Sequence, residues 1–448
     1  MKVGFVAMSG VRAVNPELNE LGLTLPGFVE RNKTIASLPS LGLLTLAGLT
    51  PDDIKVEYVE FPDDVPTNLV VEDFDLVAIS SFSARIKEAY QLAVLYRAAG
   101  VKVVLGGLHV SALPQEALEY ADSIVIGEGE PAWPRLLDDF REGRLQPIYD
   151  TRNAQFKLAD APMPRFELLD PERYNRLTVQ TQRGCPYRCE FCAASITISD
   201  SYKIKPVDKV IAEIRRIKEI WPKPFIEFAD DNSFCNKVHS KRLLRALKDE
   251  HVPWFAETDL SIADDIELLG LMSDSGCAQV LIGLESPTLV GLDGIEKKTN
   301  WKAKRLDDYM RSIERIQSYG ITVNGCFVLG LDNTGPESFD EVINFVRDSG
   351  LYEVQVTVMT PFPGTPLYER LINEGRILQE NAWELCTLFD VNFSPDMMSC
   401  SELESGFQLL VEKLYSDECT KHRKQKYREQ VRASRKACRR SQQSRGLM

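Results

Sequence analysis

The chain has 448 residues, of which 44% are hydrophobic and 27% are charged, and this balance predicts a soluble globular protein of two or three domains. No run approaches the roughly 18 uncharged apolar residues that a membrane span requires, and the formal charge of -13 argues against nucleic acid as the main partner. Ten cysteines in a chain without a recognisable export signal favour a reducing compartment, so we expect a cytoplasmic protein.

Residues 1–140 alternate short β-branched segments with helical patterns. Five of the segments are predicted as strands, at residues 3–8, 56–61, 76–81, 101–105 and 123–126. Strands that alternate with helices predict an α/β domain with a doubly wound, Rossmann-like parallel sheet, and such sheets bind ligands at the carboxyl ends of their strands. Turns rich in glycine or serine fall at those ends, at residues 80–83, 106–109 and 127–130.

A segment with several prolines, residues 146–176, is predicted as a linker after this first domain, residues 1–145. Beyond it the alternation resumes over residues 177–375. Six strands are predicted there, at residues 177–182, 225–229, 254–258, 278–284, 322–329 and 353–359. We expect the remaining residues, 376–448, to form a small helical cap that ends in a basic tail.

Three cysteines near the start of this second series lie in a C-x3-C-x2-C spacing. They are Cys185, Cys189 and Cys192, and no fourth cysteine lies alongside them. Structural zinc usually has four protein ligands, whereas three thiolates on one loop can hold three irons of a [4Fe-4S] cluster and leave the fourth iron open. A zinc knuckle and three unrelated core thiols are the alternative interpretations. The other cysteines show no C-x2-C pairing, so a second cluster has little support.

This cysteine spacing, with Phe191 before the last cysteine, resembles the cluster loop of the radical SAM superfamily. The resemblance implies that Cys185, Cys189 and Cys192 bind the cluster and that its open iron chelates S-adenosylmethionine. It also implies reductive cleavage of S-adenosylmethionine to methionine and a 5′-deoxyadenosyl radical, which abstracts hydrogen from a substrate. The six strand–helix units then fit the partial (β/α)6 barrel of that superfamily.

The N-terminal turns, together with residues 39–44, resemble the cobalamin-binding-type domain that is fused to many radical SAM enzymes. On this resemblance the candidate cobalamin contacts are Ser81, Gly106, Gly107, His109, Gly127 and Glu128. The sequence lacks the D-x-H-x-x-G loop whose histidine ligates cobalt in classical cobalamin modules. Two interpretations of His109 stay open, a residue near the corrin edge and a structural hydrogen-bonding residue.

Polar residues and glycines at the ends of the barrel strands resemble the S-adenosylmethionine site of the superfamily. The candidates are Asp230 and Asp231 for the methionyl amino group, Gly283, Glu285 and Ser286 in the fourth-strand motif, and Gly325 in the segment along adenine. The alternatives are an acidic turn that caps the next helix, for the two aspartates, and an ordinary turn glycine, for Gly325.

The combined resemblance implies a cobalamin-dependent radical SAM enzyme that methylates a carbon of a small-molecule substrate. One alternative is a non-methylating dehydratase, cyclase or rearrangement enzyme whose N-terminal domain does not bind cobalamin. Another is a non-catalytic iron–sulfur sensor. The reaction needs an external one-electron donor such as flavodoxin or ferredoxin, and residues 421–445, with eleven Lys or Arg against one Glu, are either a solvated helix or a docking patch for an acidic donor.

Overall fold

The computed structural model describes residues 1–21, 38–61, 65, 69, 71, 73–193 and 202–445, with side chains up to residue 433. Its contacts divide the chain into two units, Met1–Asp231 with Thr360–Phe393, and Asn232–Met359 with Ser394–Met448. Parallel strands alternate with helices in both units, which confirms the predicted α/β fold class.

The first unit begins with six parallel strands. They are β1 (Lys2–Met8), β2 (Lys55–Phe61), β3 (Leu76–Ser81), β4 (Lys102–Gly106), β5 (Ser123–Ile126) and β6 (Ile148–Asp150). Their order is β2-β1-β3-β4-β5-β6, so the order reverses between β1 and β3, the switch point at which doubly wound sheets bind ligands. The five predicted strands are confirmed. The sixth, β6, lies within the predicted linker, where three residues are too few to show a period.

Alternate residues of these strands build two apolar cores, one on each face of the sheet. Val6 of β1 belongs to one core and Phe5 to the other, because successive side chains of a strand point to opposite faces. The helix Ile86–Ala98 covers the first face, and the helices Leu41–Leu49 and Trp133–Arg141 cover the second. Further α-helices in the described part of the first unit are Pro16–Glu20, Leu108–Ala112, Pro114–Tyr120, Val207–Ile220 and Pro366–Asn373.

The described residues of the first unit form four further strands. They are β7 (Leu177–Val179), β8 (Gln182–Arg183), β9 (Lys203–Ile204) and β10 (Ile226–Phe228). The strand β10 is parallel to β7, and β8 pairs with β9 in the antiparallel sense. The loop between β8 and β9 carries the three cysteines, so both of its ends are fixed in one small sheet.

The second unit contains four parallel strands, each paired with the next along the chain. They are β11 (Trp254–Thr258), β12 (Cys277–Glu285), β13 (Thr322–Leu329) and β14 (Glu353–Val358). The helices of this unit are Lys237–Leu247, Ile266–Asp274, Leu289–Leu292, Trp301–Arg305, Tyr309–Ser318, Glu337–Ser349, Cys400–Tyr415 and Asp417–Arg445. These four strands, with β7 and β10 of the first unit, correspond to the six strands that the sequence predicts for the second domain.

The C-terminal part of the chain contributes to both units and contains the helices Cys400–Tyr415 and Asp417–Arg445, while a cap over residues 376–448 stays a prediction. Trp383 and Cys386 join the core of the N-terminal sheet, so residues 360–393 belong to the first unit. The basic segment lies on the helix Asp417–Arg445, where Lys426 Nζ donates to the carbonyl of Asp348 at 2.6 Å. Among the described residues, no helix combines the length and apolar character needed to cross a bilayer.

Candidate cluster and cofactor sites

The cysteine loop is held at its start by two carboxylates that follow β10. Asp230 accepts hydrogen bonds from the backbone N–H of Thr181 at 2.8 Å and of Gln182 at 3.0 Å, and Asp231 accepts from the N–H of Gly184 at 2.8 Å. Gly184 has a φ of 83°, a conformation that glycine adopts without steric cost. Burial raises the pKa of Asp231, against the opposing effects of the Gly184 N–H and the Arg183 charge.

These hydrogen bonds give a structural role to two residues that the sequence assigned to S-adenosylmethionine binding. The structure places Asp230 and Asp231 at the carboxyl edge of β10, as predicted, and shows their oxygens bound to the backbone that leads into the cysteine loop. Their contact with the methionyl amino group stays a prediction. Their hydrogen bonds fix the position of the loop whatever the ligand.

Arg183, two residues before Cys185, pairs with the turn that follows β5. Its guanidinium donates to Glu128 at 2.8 Å and to Glu130 at 2.6 Å. Lys203 of β9 bonds the second oxygen of Glu128 at 2.5 Å. Glu128, a predicted cobalamin contact, therefore has both oxygens in ion pairs with residues that flank the cysteine loop.

The far side of the loop is anchored by a different element. Glu190 accepts a hydrogen bond from Arg370 at 2.7 Å, and its backbone carbonyl accepts from the N–H of Leu367 at 3.1 Å. Both donors lie on the helix Pro366–Asn373, which follows the proline-rich turn of residues 360–364. Sequence reasoning assigned no role to Glu190 or Arg370, and their opposite charges, 180 residues apart, give no local signal.

The donor set of the loop fits an iron–sulfur cluster. Cys185, Cys189 and Cys192 are half-buried, and the N–H of Cys192 donates to the carbonyl of Cys189 at 3.2 Å, which closes a turn that contains the last two cysteines. Phe191 is also half-buried. Within the described part of the chain, no three His, Cys, Asp or Glu side chains converge on one metal ion. A [4Fe-4S] cluster asks for a wider arrangement, in which each thiolate binds a different iron.

The carboxyl edge of the N-terminal sheet carries the glycines and the serine that the sequence assigned to cobalamin. Ser81 ends β3 and Gly106 ends β4, while Gly107 and Gly127 have φ values of 109° and 86°. A Cβ on Gly127 would lie 2.9 Å from Thr151 Oγ1, so this turn requires glycine. The four residues thus share one edge of the sheet, where their backbone can approach a flat ligand closely.

His109 is completely buried, and both of its ring nitrogens have partners. Nδ1 lies 3.1 Å from Ser83 Oγ and Nε2 lies 3.2 Å from Glu116, which also accepts from the indole of Trp383 at 2.9 Å. Its ring packs edge-on against Trp383 and Tyr90. The structure therefore shows the hydrogen-bonding role for His109, and a contact with the corrin edge stays a prediction.

Glu285, in the second unit, has a backbone conformation that is unusual for a residue with a side chain. Its φ is 62°, at a point where the pairing of β12 with β13 shifts register. Lys302 forms an ion pair with the Glu285 carboxylate and donates to the carbonyl of Gly283 at 2.8 Å. A Cβ on Gly283 would lie 2.4 Å from a Glu285 oxygen, so the pair depends on glycine there.

Strained backbone of this kind occurs at functional sites as well as in turns, so it is compatible with the role expected for Glu285, which stays a prediction. Ser286 follows it and shares a hydrogen bond with Thr288 at 3.2 Å. Sequence reasoning missed Lys302, because it lies on a separate short helix. Gly325 packs against Leu284 and Leu351, which a Cβ would approach to within 2.9 Å, so this glycine permits close packing of β13. Its contact with adenine stays a prediction.

The fold and the cysteine loop define the class of this protein as a radical SAM enzyme with an N-terminal cobalamin-binding-type domain. The models that match are those of the radical SAM superfamily over residues 179–346 and of the B12-binding domain over residues 34–137. A domain of unknown function, DUF4070, matches residues 365–448. The chain therefore carries a radical SAM domain and a B12-binding domain, and its cofactors are a [4Fe-4S] cluster, S-adenosylmethionine and cobalamin, as predicted.

Similar proteins include several methyltransferases. Bacteriochlorophyllide d C-8(2)-methyltransferase of Chlorobaculum tepidum is 28% identical over 77% of this chain and 78% of that protein. Hopanoid C-2 methylase of Rhodopseudomonas palustris is 27% identical over 77% of this chain and 66% of that protein. Among solved structures, the methyltransferase TsrM from Kitasatospora setae, with cobalamin and a [4Fe-4S] cluster bound, shares the fold with a TM-score of 0.61 at 16% identity, over 83% of this chain and 75% of that one.

Proposed function

We propose that this chain transfers a methyl group to a carbon atom of a small organic molecule in a cobalamin-dependent radical reaction. The observation that carries the proposal is the direct pairing, within the first unit, of Arg183 beside the cysteine loop with Glu128 beside the predicted cobalamin edge. Relatives that are named as methyltransferases of a bacteriochlorophyllide and of hopanoids support methylation as the outcome.

The residues of the first unit would hold the cluster and cobalamin. Cys185, Cys189 and Cys192 would hold the cluster, which supplies the electron for cleavage of S-adenosylmethionine, and the strand ends of the N-terminal sheet would hold cobalamin, the methyl carrier. In the second unit, the ion pair of Glu285 and Lys302 presents a carboxylate and an ammonium group suited to the polar groups of S-adenosylmethionine. An external donor such as flavodoxin or ferredoxin would supply the electrons.

The test begins with the absorption spectrum of protein that is produced with hydroxocobalamin, purified anaerobically and reconstituted with iron and sulfide. We expect corrinoid bands that survive desalting, together with a cluster shoulder. The variant with Cys185→Ala, Cys189→Ala and Cys192→Ala loses the shoulder, whereas Cys400→Ala, a half-buried cysteine outside the loop, keeps it.

Incubation with a strong reductant and methyl-deuterated S-adenosylmethionine then tests the reaction. We expect 5′-deoxyadenosine, S-adenosylhomocysteine and a deuterated product in the small-molecule fraction of the source cells. A cluster without corrinoid would instead indicate a non-methylating radical enzyme. Failure of the wild-type protein to form any cluster would overturn the whole proposal.

A further inference from the structure

Four charged side chains form a buried network between the turn after β5 and the cysteine loop. The carboxylates are Glu128 and Glu130, and the cations are Arg183 and Lys203. The side chains of the two acids are 4% and 7% exposed, and those of Arg183 and Lys203 are 17% and 14% exposed. The two positive and two negative charges balance, so the network is neutral as a whole.

The guanidinium of Arg183 bridges the two carboxylates of the network, with one terminal nitrogen directed at each, like the prongs of a fork. Arg183 Nη1 donates to Glu128 at 2.8 Å, Nη2 donates to Glu130 at 2.6 Å, and Nη2 also donates to the side-chain oxygen of Gln180 at 2.9 Å. Only a planar guanidinium offers donors in this arrangement, and lysine cannot replace it. Burial alone would raise the pKa of Glu130, but the Arg183 charge and hydrogen bond hold it below its usual value.

One end of the network lies in the turn at the carboxyl edge of the N-terminal sheet, and the other end lies on the two strands that flank the cysteine loop. Arg183 is the last residue of β8, immediately before Gly184 and Cys185, and Lys203 is the first residue of β9. Glu128 follows Gly127, whose positive φ shapes the turn at the sheet edge. A displacement of the turn therefore moves both strands that carry the cysteine loop, because a buried ion pair cannot lengthen without leaving a charge uncompensated.

We propose that Arg183 is a positioning residue that couples corrinoid binding at the N-terminal sheet to cluster binding at the cysteine loop. The proposal rests on cobalamin binding at the turn of residues 127–130. Coupling between two sites is reciprocal, so the cluster tightens cobalamin binding by the same factor by which cobalamin tightens cluster binding. We expect a factor of about ten, within the usual range for coupled sites.

The decisive measurement is the dissociation constant for hydroxocobalamin, by anaerobic absorbance titration, in cluster-loaded and in chelator-treated protein. In the wild type the cluster-loaded form binds about ten times more tightly. Arg183→Met, which removes the charge, makes the two constants equal, and Arg183→Lys, which keeps the charge but loses the fork, gives an intermediate ratio. Equal constants in the wild type, or an unchanged ratio in Arg183→Met, would overturn the coupling.

Arg370→Met is the matched control. It breaks the pair with Glu190 that anchors the other side of the same loop through the helix Pro366–Asn373. A general loosening of the loop would reduce the ratio in this variant as well, which would contradict a specific role of Arg183. We expect instead that Arg370→Met speeds loss of the cluster and leaves the ratio of the two cobalamin constants unchanged.

A second readout uses the wild type alone and does not depend on the folding of any variant. The rate at which a chelator removes iron from the cluster is measured with and without saturating cobalamin, and coupling predicts slower loss with cobalamin bound. Tight cobalamin binding with an unchanged rate of iron loss would overturn the coupling but leave the proposed function intact. An absence of cobalamin binding in both forms would overturn the proposed function itself.

Discussion

Glu296 illustrates how backbone and hydroxyl hydrogen bonds to one carboxylate can hold a loop. Its carboxylate accepts hydrogen bonds from the backbone N–H of Lys298 at 3.0 Å, and from the N–H and the hydroxyl of Thr299 at 2.7 and 2.6 Å. Burial would raise its pKa, but these donors lower it from the usual 4.5 to about 2. The turn that Glu296 closes leads directly into the helix Trp301–Arg305, which carries Lys302.

The pKa of Glu296 makes stability depend on pH in a defined direction. A pKa that folding lowers stabilises the folded state fully above 4.5, and this stabilisation is lost as the pH falls toward 2. We expect Glu296→Gln to lower the free energy of unfolding by up to about 3 kcal/mol at pH 7. Urea unfolding of the wild type and of Glu296→Gln should be measured at pH 7 and at about pH 3.5. The difference between their free energies of unfolding should be smaller at the lower pH.

The control for this experiment is Glu404→Gln, because Glu404 is exposed on the helix Cys400–Tyr415. Glu404→Gln should change the urea concentration at the midpoint of unfolding little at either pH. A Glu296→Gln effect of the same size at both pH values would mean that the charge of the carboxylate is not what stabilises the turn.

At the scale of elements, the connection into β12 depends on one glycine. Gly276 joins the helix Ile266–Asp274 to β12 with a φ of 98°, and a Cβ there would lie 2.5 Å from the carbonyl oxygen of Val252. That oxygen belongs to the backbone and cannot rotate away. The helix therefore ends where it does because only glycine can make the turn into the strand.

Gly276→Ala should destabilise the second unit by at least about 1–3 kcal/mol, the cost of a strained backbone, with the clash in addition. Gly270→Ala is the matched control, since Gly270 lies within the same helix and the added Cβ would meet no atom beyond the adjacent backbone of that helix within 4 Å. It should stabilise the helix by about 0.5–1 kcal/mol. Thermal unfolding followed by circular dichroism should show a lower melting temperature for Gly276→Ala and a higher one for Gly270→Ala. Shifts of the same sign in the two variants would contradict the explanation.

At the scale of the whole molecule, a C-terminal segment completes the core of the N-terminal sheet. Trp383 is 4% exposed and packs with the helix Ile86–Ala98 in the core on one face of that sheet. Its indole donates to Glu116 at 2.9 Å, and its ring lies 5.3 Å from that of His109. The hydrophobic core of the N-terminal sheet therefore includes side chains from outside residues 1–145.

Trp383→Ala should destabilise the first unit by about 3–5 kcal/mol, because it leaves a large cavity in this core. Trp383→Phe keeps most of the packing and loses the hydrogen bond to Glu116, at a cost of about 1 kcal/mol beyond the smaller ring. Hydrogen exchange of the helix Ile86–Ala98 should be much faster in Trp383→Ala and slightly faster in Trp383→Phe. An unchanged rate of hydrogen exchange in Trp383→Ala would mean that the C-terminal segment contributes little to the stability of this core.

The amino-acid sequence by itself determined the fold class, most of the parallel strands and the cysteine loop. These are local properties, because a period of two residues, a glycine turn and a C-x3-C-x2-C spacing each lie within a few neighbouring residues. The confirmed strands β1, β3 and β13 follow directly from such patterns. The short strand β6, with three residues, does not produce one.

The tertiary structure decided which residues the strand ends bring together. Arg183 and Glu128 are 55 residues apart in the sequence, and Trp383 and Glu116 are 267 apart. Such pairs depend on the order of strands in a sheet and on the path of the chain between units, which no local pattern contains. For the same reason the sequence identified Asp230 and Asp231 as special, while only the structure showed that they bind the backbone of the cysteine loop.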